Sequence, residues 1–398
     1  MSDEQTPPYG RERLVEVYTQ GMLADTTPSI PPRFEDLEAA AREVLESDAY
    51  AYVAGSAGAE RTDRENQTAF SKWRLVPRML QGVDNRDLSV TLFGERYPAP
   101  IALAPIGVQS ILHEDGELGS ARAAADLGLP FVQSSASTEP LESVAEASGD
   151  EPAWFQLYWS SNRDLTRSFV ERAEQAGYEA LVVTVDTPVI SWRERDIEQA
   201  YLPFLDGEGV GNYFTDPVFR DLVGAPPEEN QDAAVMQFVD VFGDASLTWA
   251  DLEWLRGVTD LPILVKGIVH PDDARRALES GADGVIVSTH GGRQVDNALP
   301  AIEALPRVVD HLESEGYGDT PVLFDSGIRR GADAVVALAL GAEMVLLGRP
   351  YVYGLAIDGE DGVREVCRNL LADFDLTMGL SGQASVADLD RSLLVESH

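Results

Sequence analysis

From about residue 99 the chain alternates between short apolar runs and amphipathic segments. The runs are IALAPI (101–106), PFVQSS (130–135), AWFQLYW (153–159), ALVVTVDT (180–187), PILVKGI (262–268), GVIVST (284–289), PVLFDSG (321–327) and MVLLGR (344–349). Near-continuous Val, Ile and Leu is the pattern of a parallel strand covered on both faces. Most segments between the runs open on Asp, Asn, Glu or Pro and close on Gly, as helices between strands do. Eight such strand–helix units predict an α/β protein of the (β/α)8, or TIM-barrel, type. An internal echo agrees. DARRALESGADGVIVS (273–288) resembles DAVVALALGAEMVLLG (333–348), 60 residues later, which is the spacing of two strand–helix units. An open doubly wound sheet would want a Gly-rich turn after its first strand, and APIGV does not match GxGxxG.

Residues 1–98 read as an N-terminal helical extension. FEDLEAAAREVLE (34–46) has helical apolar spacing, and AYAYVAGSAGAE (49–60) leads into a further amphipathic stretch. The barrel is expected over 99–382, with a C-terminal tail at 383–398. One connection breaks the rhythm. Residues 194–247, rich in Pro, Gly and acidic residues, are expected to form a lid over the C-terminal face of the barrel.

Composition narrows the setting. A length of 398 residues suits a barrel with extensions. The single Cys367 excludes an intramolecular disulfide and fits a reducing cytosol. The polar N-terminus has no apolar signal core, and no run reaches the roughly 20 apolar residues of a membrane span. A cytoplasmic protein with no membrane partner is expected. The 68 acidic residues against 30 basic ones give a net charge of −38, which argues against a nucleic-acid partner. Only two residues are lysine, Lys72 and Lys266. Carboxylates everywhere and arginine in place of lysine predict a halophilic protein, adapted to a salt-rich solvent. Lys266 survives in the middle of VKGI, at the end of an apolar run, either as a chance remnant or as a group that arginine cannot replace.

Candidate chemistry gathers at the C-terminal ends of the strands, where barrel active sites form. Strand three ends in Gln156 and Tyr158. Strand four ends in Thr184 and Asp186, with Arg193 and Arg195 just beyond. Strand five ends in Lys266, strand six in Ser288, His290 and Arg293, strand seven in Asp325 and Arg329, and strand eight in Gly348 and Arg349. His290 follows an apolar strand and precedes two glycines, which leave its ring accessible. Asp186 is placed to hold that ring as a base–orienter pair requires. His113, His270, His311 and His398 read as capping or surface residues. The loops DSGIRRG (325–331) and GRP (348–350) follow strands seven and eight, the usual phosphate loops of a barrel. No Walker spacing and no metal-ligand spacing is present. A phosphate-bearing redox cofactor beside Lys266 fits this set. A pyridoxal enzyme with Lys266 as Schiff-base nucleophile fits it too.

The segments STHGGRQVD (288–296), VKGI (265–268), VDTP (185–188), FQLYW (155–159), DSGIRRGAD (325–333) and GRP (348–350) resemble the signatures of the FMN-dependent L-2-hydroxy acid oxidases and dehydrogenases. The resemblance runs in order from about residue 34 to 382. WFQLYW, the SWRERD…YLPFL…DPVF stretch and GRPYVYGLA are more similar to the lactate 2-monooxygenase branch than to glycolate oxidases. The resemblance implies FMN as cofactor, a small 2-hydroxy acid such as lactate as substrate, O2 as acceptor, and a homo-oligomer, a tetramer or larger. It implies His290 as base with Asp186 orienting it. Arg193 and Arg293 would grip the substrate carboxylate, with Tyr52 and Tyr158 as hydroxyl partners. Lys266 would stabilise the reduced flavin. Ala104, Pro105, Ile106 and Gly107, with Ser134, Gln156, Thr184 and Ser288, would surround the flavin ring. Asp325 would bind the ribityl chain, and Gly327, Arg329, Gly348 and Arg349 the phosphate. Four positions depart from the pattern: Ala136 for a bulky aromatic, Ser56 for a glycine, and Ser191-Trp192 for Gly-Arg, the Trp being shared with the monooxygenase branch. The alternatives are a dehydrogenase with another electron acceptor, and a flavin-binding barrel without catalysis.

Overall fold

In a computed structural model that describes residues 9–397, the eight apolar runs are eight short strands. They are β4 (Ile101–Leu103), β5 (Phe131–Ser134), β6 (Ala153–Tyr158), β7 (Ala180–Thr184), β8 (Ile263–Ile268), β9 (Gly284–Val287), β10 (Val322–Phe324) and β11 (Met344–Leu347). All pair in parallel, each with its successor, and β11 returns to β4 to close the barrel. Side chains alternate along a strand, so each strand supplies two buried sets. Phe131, Phe155, Leu181, Val183, Val265 and Val287 pack outward beneath the helices. Ala102, Val132, Trp154, Val182, Leu264, Ile286, Leu323 and Leu346 fill the interior. Two residues further along each strand, the interior set turns to Ala104, Ser134, Gln156, Thr184, Lys266, Ser288, Asp325 and Gly348. The polar rim is therefore the top layer of the barrel interior.

The N-terminal extension is helical only in its first part. Helices cover Tyr9–Ala24, Phe34–Val44, Ser47–Ala54 and Arg61–Thr68. Residues 73–97 hold three short strands joined by loops, against the expectation of helix. β1 (Trp73–Leu75) pairs antiparallel with β12 (Leu394–Glu396) in the tail. β2 (Val90–Leu92) and β3 (Glu95–Tyr97) form a hairpin. Its two-residue turn, Phe93-Gly94, has positive φ at both positions, the geometry that fits the twist of a tight hairpin. Leu92 and Tyr97 of that hairpin join the interior cluster and plug the bottom of the barrel.

Residues 194–247 are largely helical: Glu194–Gln199, Gly211–Thr215, Pro217–Val223 and Gln231–Val241, with a 3-10 turn at Pro203–Asp206. The sequence pattern of Pro, Gly and acidic residues read as loop because these residues are its helix caps. Asp216, followed by Pro217, and Asn230 accept hydrogen bonds from the first backbone N–H groups of their helices. The segment is pinned to the barrel. Asn212, fully buried, donates to the Ser135 carbonyl and Ser137 Oγ and accepts from Leu141 N. Phe204, Tyr213, Phe219, Phe238 and Phe242 pack on one another within it. Among the described residues no helix is long and apolar enough to cross a membrane.

Candidate active site

One large cavity opens at the C-terminal end of the barrel, with about 1240 Å3 of free space including its mouth. Its wall brings together Tyr52, Ala104, Pro105, Ile106, Gly107, Ser134, Tyr158, Arg193, Lys266, His290, Arg293, Asp325, Gly327, Arg329, Gly348 and Arg349. Asp186, Gln156, Thr184 and Ser288 stand behind this wall and act on it through hydrogen bonds.

His290 is held in a fixed pose. Its φ of +56° lies in the left-handed region, a strained backbone for a residue with a Cβ. Its N–H donates to Ser288 Oγ at 2.9 Å. Its Nδ1 lies 2.8 Å from Asp186 Oδ1, and its Nε2 lies 3.3 Å from the Tyr158 hydroxyl. The Asp186 contact fixes the proton on Nδ1 and leaves Nε2 free to accept one. Burial lowers the His290 pKa below its ordinary value of 6.5; Lys266 adds to this, and Asp186 opposes it. The imidazole is thus neutral at neutral pH. Burial works against the Asp186 carboxylate, but His290, through its Nδ1–H, and the Lys266 charge outweigh it and hold its pKa below the usual value. Burial pushes the Tyr158 hydroxyl far up, so it remains a phenol.

Two guanidinium groups face the same space. Arg293 donates from Nη1 to the carbonyls of Tyr52 and Gly55 at 2.5 and 2.6 Å, and stacks 5.1 Å over the Tyr52 ring. Burial, then Arg193, pushes its pKa down to about 9, still charged at neutral pH. Arg193 donates to Ser191 Oγ, to the Arg293 carbonyl and to Gln294 Oε1. Each fork keeps N–H groups in reserve, since a guanidinium carries five. Arg195 points elsewhere and pairs with Glu60.

Lys266 is buried. Its Nζ donates to Ser288 Oγ at 3.0 Å and lies 3.3 Å from Asp325 Oδ2. Gln156 links Ser134 Oγ to Thr184 Oγ1, at 2.9 Å each. Gly107 passes so close to the Ala136 carbonyl that a Cβ would stand 2.4 Å from its oxygen. Glycine is the residue that fits there.

The arginines of the two C-terminal loops differ. Arg349 is fully engaged with the carbonyls of Val53, Gly55 and Gly291, with Ser56 Oγ and with Asp63. Ser56, which replaces the expected glycine, therefore has work as an acceptor. Arg329 lies over the Phe34 ring at 4.4 Å and donates only to its own neighbour's carbonyl at Ile328. Among the described residues its buried Nε has no partner. A buried donor left without a partner is costly, so this loop wants an anion.

Sequence reasoning passed over the supports of this site. Ser326 Oγ accepts from Thr289 N and Gly291 N and donates to Asp325, tying the His290 loop to the Asp325 loop. Asn66 holds Thr289 Oγ1 and Ala301 N. Ser326 lies inside the DSG motif and could have been named; Asn66 carries no local signal. Leu202, Phe204 and Phe242 of the 194–247 segment give the cavity an apolar wall.

A family model for FMN-dependent dehydrogenases matches residues 41–396. This chain belongs to the FMN-dependent dehydrogenase family. It is 42% identical to an L-lactate oxidase of Lysinibacillus sphaericus, over 92% of this chain and 93% of that one. It is 40% identical to human 2-hydroxyacid oxidase 1, over 90% and 95%. Among solved structures, mandelate oxidase with benzoyl-formic acid superposes at a TM-score of 0.80, with 38% identity, over 92% and 98%. A soluble mutant of the membrane-associated (S)-mandelate dehydrogenase of Pseudomonas putida superposes at 0.81, with 38% identity, over 91% and 99%. The protein is thus a TIM-barrel flavoenzyme of the 2-hydroxy acid oxidase and dehydrogenase type.

The donor set fits FMN. Arg329 lacks an anion, and a Cβ at Gly348 would meet nothing within 4 Å, leaving room beside it for a phosphate. Lys266 and Asp325 line the same cavity as that loop and His290. Among the described residues no group of His, Cys, Asp or Glu could hold a metal ion.

Proposed function

We propose that the chain oxidises a small L-2-hydroxy acid, lactate or one close to it, to the 2-keto acid with O2 as electron acceptor. One observation carries this reading: a neutral, Asp-oriented His290 and two arginines face the same cavity. Arg293 and Arg193 bind the carboxylate, and the Tyr158 and Tyr52 hydroxyls complete its cradle. His290 Nε2, the free nitrogen, takes a proton from the substrate as it is oxidised. Asp186 stabilises the imidazolium that results. Arg329, Gly327, Gly348, Asp325, Lys266, Ser134 and the backbone of Ala104–Gly107 would hold FMN, which when bound would supply the two-electron acceptor. Arg349, through its bonds to the 53–56 and 291 carbonyls, braces the loops around that site.

Oxidation of lactate then yields pyruvate and hydrogen peroxide. If the keto acid stays in the site, peroxide oxidises it to acetate, carbon dioxide and water, the monooxygenase outcome. Which one prevails depends on how fast the keto acid leaves past Leu202, Phe204 and Phe242. Incubation of purified protein with L-lactate under air tests the reading. Pyruvate with peroxide, or acetate with carbon dioxide, supports it. No turnover with any small 2-hydroxy acid under air would defeat it. We further read the composition as that of a cytoplasmic, salt-adapted protein, and the family as pointing to a homo-oligomer.

Two substitutions check the parts. Arg293→Lys keeps the charge but loses the planar fork. The KM for L-lactate is expected to rise on the order of tenfold or more; an unchanged KM removes Arg293 from the carboxylate site. Arg329→Met removes the guanidinium whose Nε is left without a partner among the described residues. The purified variant is expected to lose most of its yellow colour on gel filtration, measured as FMN per chain. Full retention would place the phosphate elsewhere.

A further inference from the structure

Asp196 lies in the first turn of the helix Glu194–Gln199. Its side chain is only 11% exposed. Oδ2 stands 3.9 Å from Arg193 Nη1, too far for a hydrogen bond. Among the described residues Oδ1 is buried with no hydrogen-bond partner at all. An aspartate kept for the helix would bond to a first-turn N–H, and this one does not. Its surroundings are cationic. Burial raises its pKa against the attraction of Arg293, Arg193 and Arg195. Among the groups around Arg293, Tyr52 and Asp196 favour its charge, while Arg193 and Arg349 oppose it.

Arg193 and Arg293 are like charges that feel one another: the Arg193 guanidinium reaches the backbone carbonyl of Arg293 at 3.3 Å, and its charge lowers the Arg293 pKa. Buried like charges repel strongly unless a negative charge lies near. We propose that Asp196 is the resident counter-ion of the Arg193–Arg293 pair and sets how tightly that pair holds the carboxylate of a 2-hydroxy or 2-keto acid. The proposal rests on the reading of the pair as the carboxylate site. Asp196 is a positioning residue: it acts through the arginines and not on the reacting carbon. Its charge is fixed on the 194–247 segment, while Arg293 belongs to the barrel. A bound carboxylate adds a second negative charge to the same two cations. Asp196 therefore weakens the hold on both substrate and product, and speeds departure of the keto acid.

Asp196→Asn keeps the shape and removes the charge. Pyruvate binding to the holoenzyme is read from the perturbation of the flavin absorbance at neutral pH in molar KCl, where buried charges are little screened. The Asn variant is expected to bind pyruvate on the order of tenfold more tightly, and Asp196→Glu to return toward wild type. A merely structural role predicts the opposite, a looser helix and weaker binding. Unchanged or weaker binding in Asp196→Asn overturns the proposal. Arg293→Lys separates it from the reading beneath. If that variant binds pyruvate as well as wild type, the carboxylate site is misplaced. If it binds worse while Asp196→Asn does not tighten, the counter-ion role alone fails.

Discussion

His290→Gln is expected to keep its FMN yet reduce it with L-lactate on the order of 10²–10⁴-fold more slowly, the usual contribution of a general base. Among the described residues the side chain bonds to Asp186 and Tyr158 and not to the 325–331 or 348–350 loops, so the yellow colour should persist. What is lost is a basic nitrogen at Nε2, 3.3 Å from the Tyr158 hydroxyl. Glutamine fills the space but cannot take a proton at neutral pH. Anaerobic stopped-flow at the flavin absorbance measures the step directly, before oxygen enters. Reduction at near wild-type rate would mean that the base lies elsewhere.

The pH profile of the wild type gives an independent check. The folded-state pKa of His290 is held below 6.5, chiefly by burial. The neutral base is therefore fully available at neutral pH, and kcat/KM falls only as acid protonates it. The midpoint of that acid limb is expected below 6.5. The same shift bears on stability. A depressed pKa makes the folded state bind its proton less readily than the unfolded chain, so this contribution is present above 6.5 and is lost as pH falls. Asp186→Asn removes the charge that opposes the depression and should move the limb further down, with a loss of rate from the freed ring. A limb that stays put in that variant would show that Asp186 does not couple to the base.

The barrel was legible because its strands are buried on both faces and write themselves as unbroken apolar runs. The site was legible for a related reason. Along each strand the interior positions recur every second residue, and the polar residue two beyond the last interior one is the rim. Val182 then Thr184, Leu264 then Lys266, and Leu323 then Asp325 follow that step. The FMN assignment, by contrast, came from the resemblance; lysine and phosphate loops alone left a pyridoxal enzyme open. The hairpin at 90–97 was missed because six strand residues carry little periodicity, and its turn is marked only by Phe93-Gly94. The 194–247 helices were missed because their caps look like loop residues. Asp196 gave no signal either, since one acidic residue among 68 stands out only when its neighbours in space are seen.

Removal of salt is expected to unfold the protein and abolish activity, independently of the catalytic groups. The chain carries a net −38. Its ion pairs already engage most of the arginines, among them Arg13, Arg86, Arg172, Arg364 and Arg368, and the 68 acidic residues outnumber the 30 basic ones more than twofold. At 0.01 M salt the screening length is about 30 Å, comparable to the barrel itself, so most of the surface repels itself. At 1 M it is about 3 Å, and only adjacent groups interact. Folding compacts the charges, so the folded state gains more from screening than the unfolded chain does. The melting temperature should climb steeply from dilute buffer to molar KCl; a flat profile would rule out salt adaptation. The two lysines sharpen the test. Lys72 is exposed and pairs with Glu303, so Lys72→Arg should leave flavin reduction intact. Lys266 is 3% exposed between Ser288 and Asp325. A planar guanidinium cannot replace its compact ammonium there, and Lys266→Arg should slow flavin reduction or expel FMN. Equal tolerance at both positions would show that Lys266 survived by chance and not for its charge.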